Sequence, residues 1–287
     1  MRTRFAPSPT GPLHLGHAFS ALTAQDLARR LGGEFLLRIE DIDRSRARSE
    51  WEAQIFDDLR WLGLSWPEPV MRQSERLGIY HAALEKLWEQ GLLYPCTCRR
   101  RDIQEALSAP QEGAPLMGPD GLVYPGICRE KPVRSGHMPE NIPLRLDIAA
   151  ALSALGDPEI TWQEIGDQIT PSRLSPDQMR SQIGDVILAR RDMGTSYHLS
   201  VVLDDADQAI THVVRGADLA EATPIHRLLQ GLLNLPEPLY LHHRLIRDET
   251  GKRLAKRDDA RALTLYRAAG QSPLEIRQAV WFTPSAP

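Results

Sequence analysis

The sequence is poor in the features that mark secreted and membrane-embedded chains. It has only three cysteines in 287 residues, an odd number, and two of them sit as Cys96-Thr97-Cys98. That excludes a disulfide framework and points to a reducing compartment, the cytoplasm. No apolar run approaches the ~18 residues a membrane-spanning helix needs. The opening Met1-Arg2-Thr3-Arg4-Phe5 lacks the apolar stretch of a signal peptide, so no membrane partner is expected. Positive charge is not in excess either. With 34 Lys+Arg against 38 Asp+Glu the net charge is −4, which excludes a protein that grips nucleic acid by bulk positive charge, though not one with a local basic patch. There is no internal repeat and no low-complexity tract. What is present is ordinary for a globular protein: 42% hydrophobic and 25% charged residues, in a length suited to one large domain or two modest ones.

The pattern along the chain alternates helix and strand. Pro7, Pro9, Gly11 and Pro12 make residues 6–13 irregular. Ala24, Leu27, Ala28 and Leu31 then recur at helical spacing, and Gly32-Gly33 stops that helix. Residues 34–40 read as a short buried strand, so the opening resembles a βαβ unit and implies a parallel sheet. Ser49 with Glu52 reads as a capping box ahead of Ile55, Leu59 and Leu62. A helix is expected over 77–90, its apolar side made by Tyr80, Leu84, Leu87 and Trp88, with Gly91 at C′. Residues 108–143 are rich in proline and glycine and lack periodicity, which is unlikely in a compact domain unless something ties the segment down. Further on, 197–203 reads as a strand and Thr223-Pro224 caps a helix with a face of Ile225, Leu228, Leu229 and Leu232. Residues 239–246 read as a strand, and a last helix starts at Ser272-Pro273.

Three constellations could carry chemistry. The first is Pro12-Leu13-His14-Leu15-Gly16-His17 at a helix start. A helix N-terminus presents unpaired N–H groups and partial positive charge to a phosphate, glycine permits close approach of a flat base, and imidazoles can donate to phosphate oxygens as charge develops. The alternative is a Pro/Gly turn with incidental histidines. The second is Gly251–Arg257 (GKRLAKR), in a stretch from Arg244 to Arg261 with seven basic and four acidic residues. Such a loop can close over a triphosphate, or be a solvated charged surface. The third is Cys96-x-Cys98 with Tyr124-x-x-x-Cys128. Three thiolates can hold zinc and a phenolate oxygen can complete the tetrahedron, with His137 as a rival fourth ligand. The alternative is three buried free cysteines.

Taken together, His14–His17 (HLGH) and Arg253–Arg257 (RLAKR) resemble the HIGH and KMSKS signatures of class I aminoacyl-tRNA synthetases. Arg4 to His14 is very similar to the opening of glutamyl-tRNA synthetases. Leu37–Asp43 (LRIEDID), Tyr197-His198-Leu199 and Val214–Asp218 (VRGAD) resemble three further segments of that family, in order. The resemblance runs from Arg4 to about Asp258. It implies an α/β fold: a Rossmann-like, doubly wound parallel sheet split by an inserted zinc-binding subdomain, with a short helical C-terminal segment. The expected layout is a first Rossmann half over 1–95, the insertion over 96–190, a second half over 191–240, and the KMSKS-like loop with a helical end over 241–287.

The resemblance also implies site residues. Arg4 and Arg215 would bind carboxylates, since a guanidinium fork suits them bidentately. Glu40 would face the α-ammonium of glutamate. Ser8 and Tyr197 would supply neutral hydrogen bonds, and Phe5, Ala6 and Pro7 would complete the amino-acid site. His14, Gly16, His17, Arg253 and Lys256 would bind ATP, with His14, Gly16, His17 and Lys256 also acting in catalysis. Lys256 matches the catalytic lysine of KMSKS, while Arg253 and Ala255 replace its first lysine and its serine. Short paralogues of the family share the Cys-x-Cys…Tyr-x-x-x-Cys pattern, which implies one structural Zn²⁺ on Cys96, Cys98, Tyr124 and Cys128. Only 30 residues follow Arg257, so an anticodon-reading domain is not expected, and the resemblance narrows to the truncated paralogues, the glutamyl-Q tRNA(Asp) synthetases. That implies a monomeric ligase using L-glutamate, ATP and Mg²⁺ and acting on queuosine in the anticodon of tRNA(Asp). A minimal enzyme charging the 3′ end of tRNA(Glu), and a non-catalytic RNA-binding relative, are the competing readings.

Overall fold

The computed structural model describes residues 1–107, 117–130, 134–246 and 261–282. The chain starts as a βαβ unit: β1 (Arg2–Phe5), α1 (Leu15–Arg30) and β2 (Glu34–Ile39). The two strands are parallel, pairing Arg2 with Glu34 through Phe5 with Leu37. Helix α1 lays Ala18, Ala21, Leu22, Ala24 and Ala28 into the core, and Gly32 takes a φ of 62°, which ends it. Helix α2 (Ser49–Trp61) follows, then β3 (Met71–Arg72) and α3 (Leu77–Glu89), on which Tyr80, Leu84, Leu87 and Trp88 are all buried. Ser49 is not a cap: the helix starts at it, Arg48 is the N-cap, and no side chain caps that end. The Glu52 carboxylate is taken instead by Arg72, at 2.6 and 2.9 Å.

The middle of the chain holds β4 (Leu93–Pro95), α4 (Arg100–Leu107), β5 (Met117–Gly118), β6 (Gly121–Leu122), β7 (Leu144–Leu146) and α5 (Ile148–Ala154). Next come β8 (Ile160–Ile165), β9 (Ile169–Leu174), the one-turn α6 (Pro176–Gln178) and β10 (Val186–Ala189). The last third is α7 (Tyr197–Asp207), β11 (His212–Gly216), α8 (Thr223–Leu233), β12 (Leu239–His243), α9 (Leu263–Ala268) and α10 (Pro273–Phe282).

The segment 197–203, expected as a strand, is therefore helical. Every residue from His198 to Asp205 is buried, so the helix has no polar face and leaves no helical period in the sequence. The Ser196 side chain caps it, accepting from the Leu199 N–H.

Strands β1, β2 and β3 form one parallel sheet in that order. Strands β11, β12 and β8 form a second, with β9 antiparallel at its edge. The two meet where β1 and β11 run side by side, the Thr211 N–H donating to the Arg2 carbonyl and Arg4 Nη1 to the Val214 carbonyl. The chain winds outward from this junction in both directions, so the junction is the topological switch point, the place where open α/β sheets bind ligands beyond their strand ends. A separate antiparallel sheet, β10–β7–β4, packs on α3, α5, α7 and α8 in one core, and β1, β2, α1, α2 and α10 make another. No helix among the described residues is long and apolar enough to cross a membrane.

Candidate active site at the sheet switch point

Arg4 and Phe5 end β1, and Arg215 and Gly216 end β11. The N-terminus of α1 faces the crevice between them. His14 is the N-cap: its Nδ1 accepts the Gly16 N–H, and His17 Nδ1 accepts the His14 N–H, both at 3.1 Å. Imidazoles thus fill the places of serine and glutamate in a capping box. The rings stack with centroids 3.8 Å apart. Since both Nδ1 atoms accept, each neutral ring carries its proton on Nε2, which can donate to a phosphate oxygen. A Cβ at Gly16 would lie 3.0 Å from the His14 ring, so glycine is what lets that ring fold back over the helix end.

A cleft of about 240 Å³ opens here, lined by Arg4, Phe5, Ala6, Gly16, His17, Glu40, Tyr197 and Arg215, among others. It shares Phe5, Ala6, His17, Glu40 and Tyr197 with an adjoining cleft of about 500 Å³ that adds Pro7, Ser8, Asp43, Arg46 and Arg190. Of the residues assigned to glutamate and ATP, Arg4, Phe5, Ala6, Pro7, Ser8, Gly16, His17, Glu40, Tyr197 and Arg215 line these two clefts, and His14 lines neither.

The two arginines differ sharply. Arg4 is committed to Asp205, at 2.9 and 3.2 Å. Asp205 also receives Arg38, which is fully buried and reaches Glu40 at 3.2 Å. Burial would raise the Asp205 carboxyl, but Arg4 and Arg38 outweigh it and hold it below the ordinary range. For Glu40 burial wins over Arg38 and Arg4, and its carboxyl is pushed up.

Arg215 is 4% exposed, and its hydrogen-bond partners among the described residues are all neutral acceptors. Nε donates to His242 Nε2 at 3.1 Å, Nη1 to His226 Nδ1 at 3.0 Å and to the Tyr197 hydroxyl at 3.5 Å, and Nη2 to Thr223 Oγ1 at 2.7 Å. Burial and the Arg215 charge hold both imidazoles below their usual pKa, so they stay neutral. A buried cation with no acidic partner is costly. Lining the cleft, it is suited to receive an anion such as a carboxylate, although these partners already take four of its five N–H groups. Thr223 was expected to cap α8. It is the first residue of that helix, and its hydroxyl serves Arg215 instead.

A second constellation lies on the β5–β6 side. The Sγ atoms of Cys96, Cys98 and Cys128 lie within 4.8 Å of one another. Cys98 Sγ is 3.4 Å from Cys128 Sγ, and the Tyr124 hydroxyl is 3.5 Å from Cys96 Sγ and 3.3 Å from Cys98 Sγ. A tetrahedral zinc with bonds of about 2.3 Å to sulfur and about 2.0 Å to oxygen needs S···S near ~3.8 Å and S···O near ~3.5 Å, so the four residues fit the ion. Arg145 donates to Cys96 Sγ at 3.3 Å and stacks 3.7 Å over the Tyr124 ring, opposing the negative charge such ligands carry. His137 is exposed and outside the cluster.

A family model described as the catalytic domain of class I tRNA synthetases (E and Q) matches residues 1–117 and 167–283. A protein of Rhodobacter capsulatus named glutamyl-Q tRNA(Asp) synthetase is 61% identical over 98% of this chain and 99% of its own length. One of the same name from Nocardia farcinica is 42% identical, over 95% of this chain and 81% of its own. This chain belongs to the glutamyl-Q tRNA(Asp) synthetase family. As a member it has the class I catalytic fold and is a ligase. A solved glutamate tRNA ligase from Elizabethkingia meningosepticum, in complex with its amino acid, is 27% identical with a TM-score of 0.67 over 90% of this chain, which spans 52% of that structure's length.

In this glutamyl-Q tRNA(Asp) synthetase family member, Arg253 and Lys256 lie outside the described residues. Sequence reasoning missed Arg38, Asp205, Thr223, His226 and His242. The one signal available was Asp204-Asp205 ending an apolar run, since carboxylates at buried positions need partners.

Proposed function

We propose that this chain activates L-glutamate with ATP in the absence of tRNA and transfers the glutamyl group to queuosine in the anticodon of tRNA(Asp). The observation that carries the amino-acid half is Arg215, buried among neutral acceptors at the cleft. It receives the side-chain carboxylate of glutamate and disfavours the amide of glutamine. Glu40 faces the α-ammonium, Arg4 adds positive potential, Tyr197 and Ser8 add hydrogen bonds, and Phe5, Ala6 and Pro7 form the wall. One α-carboxylate oxygen attacks the α-phosphorus of ATP, the bond to the bridging oxygen breaks, and pyrophosphate leaves with the electron pair. His14 and His17 donate from Nε2 to phosphate oxygens, with Gly16 giving the nucleotide room. Lys256 and Arg253 hold the leaving pyrophosphate, a role that rests on their match to KMSKS. Mg²⁺ bound with the ATP would neutralise charge on the phosphates. A ring hydroxyl of queuosine then attacks the mixed anhydride and AMP leaves. Cys96, Cys98, Tyr124 and Cys128 would hold a structural zinc, which would tie residues 96–98 to the Pro/Gly-rich segment at 124–128. The queuosine acceptor is supported by the names of relatives 61% and 42% identical.

The test is ATP–pyrophosphate exchange with glutamate and no tRNA, followed by transfer to tRNA(Asp) with and without queuosine. Exchange, and labelling of the modified tRNA alone, are expected. Equal labelling of both tRNAs, or stable charging of tRNA(Glu), would overturn the acceptor assignment. Arg215→Ala should cost roughly ten- to a hundredfold in glutamate KM, the worth of a charged hydrogen bond.

A further inference from the structure

A guanidinium only donates, so every atom facing Arg215 must offer a lone pair. His226 therefore presents a bare Nδ1 to Arg215 and carries its proton on Nε2. That proton points at His198 Nδ1, 3.1 Å away, which must accept it. His198 then carries its own proton on Nε2, which lies 3.1 Å from Asp120 Oδ1. On the other flank His242 accepts from Arg215 at Nε2 and donates from Nδ1 to Glu164 at 2.9 Å. Each imidazole that holds Arg215 is thus backed, directly or through a second ring, by a carboxylate.

The Asp120 relay is the longer of the two and crosses between parts of the fold. Asp120 is in the turn between β5 and β6 and is about half exposed, whereas His198 on α7 and His226 on α8 are buried. Its carboxylate does not touch Arg215, so it fixes the direction of two hydrogen bonds without neutralising the guanidinium. A carboxylate in direct contact, such as Asp205 on Arg4, would compete with an incoming acid.

We propose that Asp120, His198 and His226 form a positioning relay that sets glutamate specificity, by locking the His226 tautomer that holds Arg215 toward the substrate carboxylate. The inference rests on the reading that Arg215 binds that carboxylate. His226 and His198 act through Arg215 and touch no reacting atom. Loss of the relay removes one of the four acceptors that hold Arg215, or lets His226 present an N–H to it, and either weakens the grip on a carboxylate more than on an amide.

The experiment is pyrophosphate exchange by the full chain without tRNA, measuring KM for glutamate, KM for ATP and the preference for glutamate over glutamine. His226→Leu removes the lone pair and should raise glutamate KM about tenfold and lower the preference by a similar factor, the size expected for a hydrogen bond to a charged group. His226→Gln keeps an acceptor for Arg215 and a donor for His198, and should restore both to within about threefold. Asp120→Ala should raise glutamate KM about threefold and leave ATP KM unchanged. This exposed position also keeps the test open if His226→Leu folds poorly. A merely structural role would lower kcat and Tm without moving the preference, and would overturn the relay. If Arg215→Ala erases the preference while Asp120→Ala and His226→Leu keep it, the relay falls and the carboxylate reading stands. If Arg215→Ala keeps it, the reading itself falls.

Discussion

The His14 and His17 rings stack at 3.8 Å, and each takes a backbone N–H at Nδ1. One arrangement thereby closes the helix end and fixes the tautomer, with the proton of each neutral ring on Nε2. The two tasks are separable. His17→Gln keeps an acceptor for the His14 N–H, as in an ordinary capping box, but has no imidazole. We expect pyrophosphate exchange to fall about a hundredfold, with Tm within a few degrees of wild type. His17→Ala should lose both, costing about 1 kcal/mol of stability as well as the rate. Equal exchange by wild type and His17→Gln would remove the phosphate role.

Asp205 holds Arg4 and Arg38, all three buried. Deleting the acid leaves two buried cations short of a partner. Asp205→Ala should therefore cost about 3–5 kcal/mol in urea unfolding, and Asp205→Asn, which still accepts a hydrogen bond, should cost less. A loss under ~1 kcal/mol for the alanine variant would mean that Glu40 and Asp204, the other acids near Arg38, suffice.

The helix-end arrangement of the first motif was legible in the sequence because it is local. His14, Gly16 and His17 lie within one turn, Gly32 and Gly91 mark helix ends, and the three cysteines fall in two short clusters. The surroundings of Arg215 were not legible. Thr223, His226 and His242 approach it from α8 and β12, and no spacing in the chain relates them. Helix α7 was misread for a related reason: Leu199, Val201, Val202 and Leu203 are buried on every side, so tertiary packing erased the periodicity that identifies a helix. Ser49 and Thr223 are good capping residues by type, yet at neither position does the hydroxyl cap, and Thr223 spends its oxygen on Arg215.

The thiolate cluster predicts one zinc per chain in protein purified without chelator. Cys98→Ser should lose most of the metal. Tyr124→Phe keeps three thiolates and should retain zinc with weaker affinity, released by a lower concentration of chelator. Removing the ion should lower Tm, because residues 96–98 and 124–128 are then no longer joined. Metal-free protein with unchanged Tm would leave three buried cysteines and no site.

Asp58 gives a pH dependence of stability unrelated to catalysis. It lies on α2, fully buried, and neither carboxylate oxygen has a hydrogen-bond partner among the described residues. Burial, with Asp57 adding and Arg267 opposing, raises its pKa from 3.8 to about 6. The folded state therefore holds a proton that the unfolded chain releases at lower pH. Its contribution to stability is fully present below the unfolded value and is lost as pH rises through the folded one. Wild type should thus weaken between about pH 4 and pH 6.5 relative to Asp58→Asn, which cannot ionise. By pH 7.5 the variant should be the more stable, by at most about 3 kcal/mol. Urea denaturation of both proteins across pH 4–8 measures this, and parallel curves would show that Asp58 does not titrate in that range.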